Sequence, residues 1–190
     1  MRAFIPSTLA ASLALVASGA QAQEISRATQ RLEVQGDAPA GCVANSARAG
    51  KQFGTIYQDN GPTGGVVTIP NLVDESTATA RASSIELAVP VVCNTAHLIT
   101  VRSYNGVLVR QGAGGANSTG GFSESQAYNV GLQWQDLTTQ IGGTNSNGAI
   151  AYGQPAKGDL IIDIAVPRGT QPLVAGTYTD AVVVEIRPTN

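Results

Sequence analysis

The chain has 190 residues, 13% of them charged, with 11 Lys and Arg against 13 Asp and Glu and a formal net charge of −2 at pH 7. With no basic run, it has no footprint for nucleic acid as a partner. One histidine and two cysteines leave few groups for nucleophilic or metal chemistry.

Met1-Arg2 gives a short basic start, Leu9–Val16 an uncharged apolar core, and Ala20-Gln21-Ala22 a small-x-small site. This pattern predicts a secretory signal over residues 1–22, cleaved after Ala22. The apolar core is far below the ~20 residues that span a bilayer. Residues 23–40 follow, polar at first. Leu32, Val34, Gly36, Ala38, Ala40 and Cys42 then share one parity, with mostly small side chains. Two readings fit such a segment, a frayed first strand or a strand meant for another molecule's sheet. The residues alone favour the first.

Residues 41–190 are long enough for one domain with its own core. Cys42 and Cys93 form an even pair in an exported chain, which reads as one disulfide. A bridge closing a loop of about 50 residues stabilises by roughly 4 kcal/mol through chain entropy. A two-thiol metal site is the weaker reading, since there is no CxxC pair and His97 is the only histidine.

Alternation dominates the rest. Ile85, Leu87, Val89, Val91 and Cys93 share a parity. So do Tyr128, Val130, Leu132 and Trp134, and again Leu160, Ile162, Ile164 and Val166. Tyr178, Val182, Val184 and Ile186 do the same, interrupted by Asp180. Asn105-Gly106 between Leu98–Tyr104 and Val107–Arg110 predicts a hairpin, because both residues tolerate positive φ. Gly61–Gly65 breaks the chain before Val66–Ile69, Gly112–Gly121 reads as a flexible loop, and Gly142–Gly148 as a turn region. Ser76–Ser84 fits a helical turn or a loop. Short strands and Gly-rich turns predict an all-β sandwich.

Chemistry is sparse. Gly112–Asn117 begins like a dinucleotide loop but lacks the third Gly and a following helix. His97, near a turn, reads as solvated or hydrogen-bonded, so its replacement by Ala costs little. Trp134 sits on its strand's apolar face and reads as core, with a sugar platform as the minority reading. The pair Asp74-Glu75 has no calcium-loop spacing, and Asn117-Ser118-Thr119 is a formal glycosylation sequon in loop sequence. Catalytic residues, a metal and a cofactor are therefore not expected, and the chain reads as a non-enzyme.

Three stretches resemble the spore coat protein U family, which includes archaic (Csu-type) chaperone–usher pilins. The first is Gly41-Cys42-Val43-Ala44 with Phe53-Gly54-Thr55-Ile56-Tyr57. The second is Ile85–Cys93 followed by Asn105-Gly106. The third and most specific is Ala175-Gly176-Thr177-Tyr178-Thr179-Asp180 leading into Ala181–Ile186, and Tyr152-Gly153 also fits the order. The likeness covers nearly all of residues 23–190, although the segments around 58–84 and 111–126 are longer than the family pattern.

The resemblance implies an incomplete immunoglobulin-like sandwich completed by a donor strand from another chain. It implies a donor segment over 23–40, with Leu32, Val34, Gly36 and Ala38 facing the neighbour. It implies an acceptor-edge strand carrying Val182, Val184 and Ile186. Implied partners are a periplasmic chaperone, an outer-membrane usher and neighbouring copies or related pilin subunits. The implied location is the cell surface, reached through the periplasm, with a role in adhesion or biofilm. A surface adhesin or coat protein binding a host or abiotic ligand is the alternative.

Overall fold

The computed structural model describes residues 33–113, 118–143 and 145–189. The expected signal over 1–22 and donor residue Leu32 lie outside them. The chain divides into two compact units, Met1–Asp37 and Ala38–Asn190. In the first, described residues 33–37 are exposed and in no strand.

The second unit is all-β. Its strands are β1 (Cys42–Ala44), β2 (Arg48–Phe53), β3 (Ile56–Asp59), β4 (Gly65–Thr68), β5 (Ser83–Cys93), β6 (His97–Ser103), β7 (Val107–Arg110) and β8 (Ser118–Thr119). They continue with β9 (Phe122–Ser123), β10 (Ser125–Ala127), β11 (Asn129–Trp134), β12 (Leu137–Gly142), β13 (Asn147–Tyr152), β14 (Ala156–Val166), β15 (Tyr178–Thr179) and β16 (Val182–Pro188). One 3₁₀ turn, Gly61–Thr63, joins β3 to β4.

The largest sheet runs β1-β5-β14-β11-β12, with β2 also paired to β5. Thus β1 holds the Cys93 end of β5 and β2 the Ser84 end. A second sheet runs β13-β6-β16 and a third β10-β7-β15. The ladders between these strands are antiparallel.

Period-two alternation sends one parity of each strand inward. Ile85, Leu87 and Val91 on β5, Val130, Leu132 and Trp134 on β11, and Leu160, Ile162 and Val166 on β14 meet Ile99 and Val101 of β6 and Ile150 of β13 in one core. The sheets therefore share their inner faces, consistent with a β-sandwich.

Several local expectations are corrected. Asn105-Gly106 does not close a hairpin. The strand before it, β6, pairs with β13 and β16, while β7 pairs with β10 and β15. The turn is a corner between sheets, with Gly106 at φ +76°. Nor is the run from Tyr178 to Ile186 one strand, since β15 pairs with β7 and β16 with β6. The segment 112–121 is not loop throughout, because Ser118–Thr119 pairs with Phe122–Ser123. Of Ser76–Ser84, only the start is a turn, over residues 75–77, where Asp74 Oδ1 accepts from the Ser76 backbone N–H at 3.0 Å; Thr79 and Ala80 form isolated bridges and Ser83–Ser84 already belong to β5.

Candidate functional site

The last strand, β16, ends its sheet, with β6 hydrogen-bonded on one side and, among the described residues, no strand hydrogen-bonded on the other. Its inward residues Val182, Val184 and Ile186 pack on the core yet are only half-buried. The same is true of Val89 on β5, Ile164 on β14 and Leu108 on β7. All six line one groove of about 590 Å³ between the sheets. An inward parity that stays partly wet means that nothing covers it from that side. The groove's wall is mainly aliphatic, with the Asp180 carboxylate its only acidic group among the described residues.

In the sequence, Asp180 breaks an apolar parity and closes the Ala175–Asp180 stretch. In the structure it holds the point where the chain changes sheets. Its Oδ2 accepts from Ser103 Oγ at 2.5 Å and from Tyr128 OH at 2.7 Å. Its Oδ1 accepts from Asn105 backbone N–H at 2.9 Å, Asn105 Nδ2 at 3.1 Å and Ala181 N–H at 2.8 Å. Ser103 Oγ in turn accepts from Gly106 N–H at 2.8 Å. One carboxylate thus ties the corner after β6 to the start of β16. Burial, reinforced by this carboxylate, pushes the Tyr128 phenol well above its ordinary pKa, so it remains a donor.

At the opposite end, Cys42 and Cys93 face each other across β1 and β5, and their sulfurs are bonded. They and a ring nitrogen of His97 lie within 4.8 Å of one another. The sulfur–sulfur bond leaves no thiolate there to ligate a metal. The chain's entry and exit meet at this end too. Asn94 takes the Gly41 N–H on its Oδ1 at 2.8 Å and donates Nδ2 to Pro39 O at 2.8 Å, while Thr189 N–H donates to Ala96 O at 2.8 Å.

The expected donor residues Val34, Gly36 and Ala38 are exposed and in no strand. The chain matches no family model and no curated protein.

The sequence reading of His97 needs correction. It is not a surface residue but 1% exposed, the first residue of β6. Trp134 Nε1–H donates to its Nε2 at 2.9 Å, and its Nδ1 lies 2.9 Å from Thr95 O. An indole N–H only donates and a carbonyl only accepts, so the ring is the Nδ1–H tautomer. Removing it leaves the wholly buried Trp134 N–H without an acceptor. His97→Ala is therefore expected to destabilise the fold by about 1–3 kcal/mol, the usual cost of an orphaned buried donor. Urea unfolding followed by Trp134 emission, with the disulfide intact, measures it, and an unchanged midpoint contradicts it.

Proposed function

We propose that the chain is a structural subunit of a chaperone–usher surface fibre, completed by a strand from a neighbouring copy or a related pilin subunit. The observation carrying this reading is the open groove beside the unpaired edge of β16. An immunoglobulin-like sandwich lacking its last strand has such a groove. A guest strand there gains main-chain hydrogen bonds from β16, and its alternate side chains enter the aliphatic groove. It also removes an edge that invites aggregation. In this reading a periplasmic chaperone covers the edge before assembly, an outer-membrane usher passes subunits outward, and adhesion or biofilm formation is the fibre's role.

Topology favours a head-to-tail fibre. β16 runs from Val182, opposite Ser103, to Pro188, opposite His97. Gly41 is tied to Asn94, at the Pro188 end. A guest strand antiparallel to β16 finishes at the Val182 end, so the donor's Gly41 follows there. The donor's own groove is then free for the next strand. Such a contact does not close on itself and yields an open filament.

The test uses singly substituted chains co-exported in pairs. One carries Val34→Cys, the other Val182→Cys, Val184→Cys or Ile186→Cys. Same-face neighbours on adjacent strands bring Cβ atoms to about 5 Å, near disulfide reach. One of the three pairs is expected to give a covalently joined two-chain band without reductant. Absence of that band from all three pairs overturns the donor assignment.

A further inference from the structure

The hairpin β3–β4 belongs to none of the three larger sheets. Its register runs from Ile56 opposite Thr68 to Asp59 opposite Gly65, and among the described residues neither strand pairs with any other. A free two-stranded ribbon is marginal in water, so this one depends on what its inner face touches. That face, Tyr57 and Val67 with Ile69 just beyond, packs on the core and lines the groove that Val182, Val184 and Ile186 also line. The Tyr57 ring lies across Gly65, where any Cβ would collide with it.

Away from that face, the hairpin is tied at its root by Thr55 Oγ1 donating to Ser84 O at 2.9 Å and is bounded by glycines. Its tip bends at Gly61 and Gly64, at φ +80° and +129°, with nothing around a Cβ at either within 4 Å. Its root bends at Gly54, at φ +65°, a conformation that glycine adopts without strain. Beside the root is a second cleft of about 340 Å³, lined by Phe53, Ile56, Pro70, Arg81 and Ser83 among others. Ser83 Oγ is buried there without a hydrogen-bond partner. The ribbon is thus a groove wall attached to no sheet, with a glycine at its root and space beside it.

Resting on the strand-accepting reading above, we propose that the β3–β4 hairpin is a clamp that closes on the seated donor strand and sets how long it stays. A filled groove gives the half-buried Tyr57, Val67 and Ile69 further apolar contact beyond the core they already touch, and the ribbon then becomes fixed. Contacts completed after seating act on dissociation more than on entry.

The experiment uses the exported chain, residues 23–190, and a synthetic peptide of residues 23–40. Association, dissociation and backbone hydrogen exchange are followed. For Tyr57→Ser with Val67→Ser, peptide dissociation is expected to speed by about tenfold or more, with association changed by less than about threefold. In the unaltered chain, amides of residues 56–68 are expected to gain protection when peptide binds. Gln58→Ala, an exposed change, serves as the comparison. Dissociation within about twofold of the unaltered chain overturns the clamp while leaving the groove reading intact. Loss of hairpin protection on peptide binding also overturns it, since the hairpin would then be an obstacle. If the double variant does not fold, the exchange result in the unaltered chain decides. Failure of the peptide to bind the unaltered chain overturns the strand-accepting reading, and the clamp with it.

Discussion

In the fibre reading, the chain carrying Leu32→Asp and Val34→Asp is expected to fold, to be captured by a periplasmic chaperone and to form no fibres. Leu32 and Val34 are the large apolar groups on the expected donor parity, followed by Gly36 and Ala38. Each is worth roughly 1.5–3 kcal/mol when fully buried in a neighbour's groove. Aspartates there place two charges among Val89, Ile164 and Val184, where desolvation is not repaid by any partner. Val34 is 87% exposed. Electron microscopy and size-exclusion chromatography of the exported material separate the outcomes. Fibres as abundant as those of the unaltered chain place the donor elsewhere. A chain that fails to fold with its chaperone present assigns the segment to the home core.

Asp180→Ala is expected to cost about 2–4 kcal/mol, because hydrogen bonds to a charged group contribute about 1.5–3 kcal/mol each and do not add fully. The carboxylate gathers donors from Ser103, Asn105, Tyr128 and Ala181. Tyr128 is buried, and its hydroxyl keeps only its 2.9 Å contact to Ser103 Oγ once Asp180 is gone. Asn105 loses the anchor that turns the chain out of β6. Asp180→Asn retains acceptor capacity on one atom and is expected to lose about half as much. Urea unfolding with the disulfide intact reads both. A loss below about 0.5 kcal/mol for Asp180→Ala, the size of an ordinary surface change, contradicts the role given to this carboxylate. In the fibre reading, this loss also loosens the start of β16, so assembly falls with stability.

Particular residues show where sequence reading reached and where it stopped. The parity of Ile85 to Cys93, of Tyr128 to Trp134 and of Leu160 to Val166 named the inward faces of β5, β11 and β14. Alternation is local, and burial follows it directly. The two cysteines needed only their number and the expected export to be paired. Asn105-Gly106 went astray because the dipeptide specifies a tight reversal and not which strands flank it as partners. The sequence leaves His97 as either solvated or hydrogen-bonded, because a single polar side chain after a turn carries no local mark of burial. Its partner, Trp134, lies 37 residues away. Asp180 interrupts an apolar parity and ends the Ala175–Asp180 stretch, but neither feature says which donors its carboxylate gathers.

By itself the sequence determined the all-β class, the inward parities and the cysteine pair, all properties of spacing along the chain. Tertiary structure alone decided that β16 ends its sheet, that β3–β4 stands apart from the larger sheets, and that the inward residues of β16 line an open groove. Those facts depend on which strand lies beside which, and on what lies beside none. Hydrogen bonding between strands is satisfied by backbone groups that every residue except proline carries alike, so a strand's residues encode its face but not its neighbour.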